Sequence, residues 1–91
     1  MTIDTTAVIS GKPYAVTTVA DGAQPTALTD FTGDTVFHID LDGRSHSVRG
    51  CGQEQDGLVR YHQHDPGGRD VRVWHVTPTG DGFAAEQTSA F

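Results

Sequence analysis

One cysteine, Cys51, stands in the whole sequence, which excludes an internal disulfide framework and an all-cysteine zinc site. Lysine is almost missing as well. Lys12 is the only one, acids outnumber bases 12 to 6, and the formal net charge is −6. Nucleic-acid grooves rest on clustered Lys and Arg that neutralise phosphates, so no nucleic-acid partner is expected. No apolar run reaches the roughly 18 residues of a membrane-spanning helix, or the roughly 7–15 of a secretory signal core, so no membrane partner is expected either. Leucine occurs only three times, and no window repeats apolar residues at i, i+3, i+4 and i+7, which argues against an amphipathic helix. The 91 residues leave room for one core.

What the chain does contain points to strands. Nine Val and twelve Thr are β-branched residues that pack well on a pleated surface, and ten of the twelve acids are Asp, a turn former. The reading is all-β. Tyr14–Val19 is a strand candidate, followed by turn residues from Ala20 to Pro25. Thr35–Asp42 alternates, with Phe37, Ile39 and Leu41 on one face and His38, Asp40 and Asp42 on the other. Asp42-Gly43 tolerates the positive φ of a tight hairpin, so Ser45–Arg49 is the return strand, ending in a break or bulge at Gly50-Cys51-Gly52. Asp56-Gly57 turns into the strand Leu58–Gln63, and Asp65-Pro66-Gly67-Gly68 turns into Val71–Thr77. Residues 1–12 read as an extended N-terminal arm, 13–83 as the domain, and 84–91 as a C-terminal tail. The expected core is Phe37, Ile39, Leu41, Val59 and Tyr61.

Several groupings carry chemistry. His62 and His64 lie on one face of a strand, at a spacing two imidazoles use to grip one metal. A cupin-like site would need a Glu soon after the second His, and that stretch reads Asp65-Pro66-Gly67-Gly68-Arg69. Solvent-facing strand histidines are the plainer reading, and no metal or other cofactor is expected. Cys51, flanked by glycines, has no helix N-terminus to activate it. Asp40 and Asp42 sit on a polar strand face beside a turn, where water keeps both ionised. No catalytic residue is assigned, and the chain reads as a non-enzyme. Trp74 and Val76 share one face of a strand whose other face carries Val71 and Val73. That leaves Trp74 open as a core residue or an interface anchor.

Five elements in order carry a family resemblance: Asp30-Phe31-Thr32-Gly33-Asp34-Thr35-Val36-Phe37, Asp40-Leu41-Asp42-Gly43, Gly57-Leu58-Val59-Arg60-Tyr61, Pro66-Gly67, and Val71–Thr77 with Trp74. Over residues 28–83 the chain resembles the N-terminal domain of phage baseplate upper proteins. The resemblance implies a small antiparallel immunoglobulin-like β-sandwich. It also implies a virion location and a structural role in tail or baseplate, through contacts with other phage structural proteins and with itself. The expected partner-binding residues are Ile3, Val8, Ile9, Trp74, Val76 and Phe91. The alternatives are a capsid decoration protein, a small His-centred metal-dependent enzyme or binding domain, and a sugar-binding sandwich stacking on Trp74 and Tyr61.

Overall fold

The structure, a computed structural model, describes residues 4–19 and 22–90. Three short dipeptides organise much of it. Ser10-Gly11, Asp42-Gly43 and Asp56-Gly57 all have positive φ at both residues, the conformation of a two-residue hairpin turn whose twist matches that of its strands. They join β1 (Asp4–Ile9) to β2 (Lys12–Val19), β3 (Gly33–Leu41) to β4 (Arg44–Gln55), and β4 to β5 (Leu58–His64). Longer turns lead to β6 (Asp70–Pro78) and β7 (Gly82–Ala90). Each strand pairs antiparallel with the next, and β1 then pairs with β7. In a meander of seven strands the first and last run the same way, so the closing pair is parallel: Thr5 lies beside Phe83 and Ala7 beside Ala85.

The result is a closed seven-stranded barrel, and this corrects the immunoglobulin-like sandwich expected from the sequence. Two misread segments account for the difference. Residues 4–9, taken as part of an extended arm, are β1, and residues 84–90, taken as a tail, belong to β7. Together they form the seam that turns an open sheet into a barrel with no edge along it. The glycines at 50 and 52 do not end a strand. β4 runs through them, pairing with β3 from Arg44 to Gly52 and with β5 from Gly50 to Gln55. Bulges in the β2–β3, β5–β6 and β6–β7 ladders add to the curl.

The barrel interior is packed. Phe37 lies at its centre, with edge-to-face contacts to Phe31, Tyr61 and Trp74 at centroid distances of 6.2, 5.1 and 5.8 Å. Phe37, Ile39, Val59 and Tyr61 are buried as expected, whereas Leu41 is half-buried because β3 runs out beyond the core there. The end where β1, β3, β5 and β7 begin is stoppered by Phe31. This residue sits on a single 3₁₀ turn, Leu28–Phe31, and also meets Phe83 at 5.5 Å. The Asp30 carboxylate holds that turn by accepting the Thr26 and Ala27 N–H groups at 2.7 and 3.1 Å. The Thr26 amide is the main reason its pKa lies below the usual carboxylate value. Two inward glycines give the rings their room. A Cβ at Gly52 would stand 1.9 Å from the Phe31 carbonyl oxygen, and one at Gly50 would stand 2.0 Å from that of His62.

Candidate functional site

The opposite end of the barrel is built differently. The two-residue turn makes Leu41 and Arg44 a mutually hydrogen-bonded pair, and pairs alternate from there. Ser45, Ser47 and Arg49 therefore fall at positions whose main-chain N–H and C=O groups point away from β3. The close approach of side chains at such positions is visible in Ser47 Oγ, 3.2 Å from His38 Nδ1 on its cross-strand partner. On the side away from β3, β5 begins to pair only at Gly50. Beyond His64 the chain turns off through residues 65–69, tied by the Asp65 carboxylate accepting N–H bonds from Gly67 and Arg69 at 2.8 and 3.0 Å. Among the described residues, nothing pairs with β4 between Arg44 and Val48 on that side, while the Gly50–Gln63 register puts His64 across from Arg49.

The vacant strand position is a real slot. A cleft of about 560 Å³ is lined by Ser47, Arg49, Gln63, His64, Asp65, Pro66 and Val71. It adjoins a wider groove of about 720 Å³, floored in part by Val36 and Gly50 and bordered by His38 and Ser47. Arg44, Ser45, His46, Ser47 and Arg49 are all exposed. His46 points to the same side as core residue Ile39, its partner, yet is exposed, so this hairpin overhangs the barrel mouth.

The histidine pair lies on the outer wall nearby. His62 Nδ1 and His64 Nε2 each meet a different oxygen of Asp70, at 3.2 and 3.1 Å, because the β5–β6 bulge brings Asp70 opposite His64. The carboxylate thus bridges the imidazole nitrogens that face it. Among the described residues no three His, Cys, Asp or Glu side chains group as a metal site. Cys51 is the cross-strand partner of His62, but no hydrogen bond joins them, so the thiol lacks the base that nucleophilic catalysis requires. The Ser47–His38 pair has no carboxylate on the imidazole among the described residues, so it lacks the third, orienting member of a triad.

The residues expected to bind partners scatter. Ile3 and Phe91 lie outside the described residues. Val8 and Ile9 are half-buried in β1, inside the barrel wall rather than on a free arm. Trp74 and Val76 are 1% and 0% exposed, which makes both core residues and corrects the reading of them as interface anchors. Trp74 Nε1 donates to Gln63 Oε1 at 2.9 Å. Tyr61 is buried too, its hydroxyl donating to the Thr35 carbonyl at 2.7 Å with the Val48 carbonyl 3.2 Å away. Burial, the largest cause, pushes its pKa up to about 12. Neither ring offers a stacking platform for a sugar. Sequence reasoning gave no role to Arg49 or Ser47 and did not join Asp70 to the two histidines. The unequal lengths of β4 and β5, 12 and 7 residues, would have exposed the open edge had the strand been carried through its glycines.

No family model, no curated protein and no solved structure matches this chain.

Proposed function

We propose that the chain is a non-enzymatic structural protein of a tailed-phage virion, associated with the tail or baseplate and acting through contacts with neighbouring subunits. The observation that carries the contact role is the unpaired stretch of β4 from Arg44 to Val48 beside an open slot. Main-chain groups presented in this way recruit a strand from another chain. The phage setting is supported by the ordered turn-and-strand elements of residues 28–83. These occupy the 3₁₀ turn with β3, the β3–β4 turn, β5, the β5–β6 turn and β6. Repeated subunits in a symmetric particle make many weak contacts add by avidity, which suits a module with one short edge to offer.

Mass spectrometry of gradient-purified particles tests the reading. The chain should be present in a fixed ratio to the tail proteins, and gold-labelled antibody should mark the tail end. Label over the head overturns the tail placement, and absence from purified particles overturns the function.

A further inference from the structure

We propose that the open edge of β4 receives an acidic β-strand: an extended segment of a different protein, with carboxylates at alternate positions on the face of Ser45 and Ser47, one of them diagonal to Arg49. This deepens the contact role above, on which it rests, by naming the partner's chemistry and the register of the contact.

Three features converge on that occupant. The first is the main chain. Ser45 and Ser47 each hold out an N–H and a C=O at the spacing of an antiparallel ladder, and an extended peptide answers them without rearrangement. The second is space, since the cleft beside Ser47, beyond His64, lies where the next strand would continue. Val71 and Pro66 supply its apolar lining.

The third is charge. The protein is acidic, yet its open edge reads Arg44-Ser45-His46-Ser47-Val48-Arg49, two of the six Lys/Arg residues and not one carboxylate. Neither guanidinium makes an ion pair among the described residues. His38 and Asp34 both border the groove beside the slot, and His64, which lines the slot, already meets Asp70. The slot's own carboxylate, Asp65, is turned back onto the Gly67 and Arg69 amides. A carboxylate across from Ser47 therefore lies diagonal to the unpaired Arg49 guanidinium, and opposite charges on neighbouring strands stabilise a ladder. A second copy of this chain fits poorly. It would bring another Arg44 and another Arg49 to the same seam and no carboxylate from its own edge, the like-charge arrangement that guards edges against self-pairing.

Residues hydrogen-bonded to one another across a ladder share a face of the sheet. In an antiparallel ladder a partner carboxylate across from Ser47, diagonal to Arg49, thus belongs to a residue whose own amide bonds the β4 edge. That fixes the test. A capped seven-residue peptide alternating Glu with Val is titrated into the labelled full-length protein, with amide shifts and hydrogen exchange read at Ser45 and Ser47. Those two amides should exchange freely without peptide and become protected with it. Methylating the Glu amides should abolish binding, whereas methylating the Val amides should leave it. A Lys-for-Glu peptide should bind about tenfold more weakly or worse, and so should the Glu–Val peptide to Arg49→Glu, a surface change checked for folding by its thermal melt. Equal binding of the Lys peptide, survival of binding after Glu methylation, or no binding at all overturns the proposal. So does a concentration-dependent dimer that protects the same two amides. Failure here with the chain present in particles sinks the edge assignment alone. Peptide binding with the chain absent from particles sinks the virion reading alone.

Discussion

At the end of the barrel where β3, β5 and β7 begin, Phe31 drops into the mouth and packs on Phe37 and Phe83, and the Asp30 carboxylate fastens its turn. At the other end, β3 and β4 continue past the core as an overhanging hairpin, and β5 stops short of β4 and leaves one strand position vacant. The first end spends its residues on apolar contact, the second on exposed hydroxyls, imidazoles and guanidiniums. A domain this small buries only a modest share of its surface, so it gains stability where it closes and is left with unpaired groups where it does not. Stability should therefore respond to changes at the stoppered end and barely at the open one, where changes register in binding.

Phe31→Ala is the strongest way to break that contrast. The ring is fully buried, and removing it leaves a cavity beside Phe37 and Phe83. The expected loss is about 3–5 kcal/mol, a large part of the roughly 5–15 kcal/mol that holds a domain together. Arg49→Ala at the open edge should change stability by no more than about 0.5 kcal/mol. Urea unfolding of both variants measures the contrast. A loss below about 1 kcal/mol for Phe31→Ala would show that the stopper contributes little.

Glycine gives a second comparison, of middle size. A methyl at Gly52 would collide with the Phe31 carbonyl oxygen at 1.9 Å and with Val59 Cγ1 at 2.8 Å, so Gly52→Ala must push strand or stopper aside. The expected cost is about 1–3 kcal/mol or more. At Gly43, in the overhanging turn, a Cβ meets nothing within 4 Å, and only the φ of +81° resists it. Gly43→Ala should therefore cost about 1 kcal/mol, the price of forcing a side chain into the left-handed region. Thermal melts rank the two, and a reversed order would mean that β4 is not pinned by the stopper.

The sequence displays these two ends unequally. Asp42-Gly43 and Asp56-Gly57 are visible as hairpin turns because only certain residues accept positive φ at both positions, and the alternation around Phe37 and Tyr61 reveals which face is buried. Ser10-Gly11 adopts the same conformation, but the polar, Thr-rich residues before it read as an arm, and a hairpin was missed. Closure was missed for a deeper reason. The β1–β7 pairing joins the two ends of the chain in parallel, and no local pattern encodes a contact between residues so far apart. With both ends left unpaired, an open sandwich was the natural inference. Trp74 was ambiguous because both faces of β6 carry apolar residues, and only closure decides which face is inside. At the candidate site, His62 and His64 are plain from their spacing, but Asp70 joins them only through a bulge. The open edge follows from where β5 stops relative to β4, a difference between two strands rather than a motif in either.

Tyr61 lies where the two ends meet, and its expected effect at neutral pH is the smallest. Its ring belongs to the core around Phe37, while its hydroxyl reaches the Thr35 and Val48 carbonyls on the strands that run out into the open hairpin. Tyr61→Phe keeps the ring and removes one hydrogen bond, which should cost about 0.5–1.5 kcal/mol at pH 7. The pH dependence is more telling. In the folded protein the phenol ionises near pH 12, against about 10 for a free tyrosine, so the fold holds its proton more tightly than the unfolded chain does. Its contribution is complete below pH 10 and is lost as pH rises from 10 towards 12, because the unfolded chain can then ionise and the buried hydroxyl cannot without penalty. Tyr61→Phe lacks that ionisation, and every other titrating group is common to both proteins. The stability advantage of the natural chain over Tyr61→Phe should therefore shrink across pH 10–12. Urea midpoints measured in that window check this. Curves that stay parallel would mean that the hydroxyl is open to water and that the vacancy beside β4 extends into the barrel.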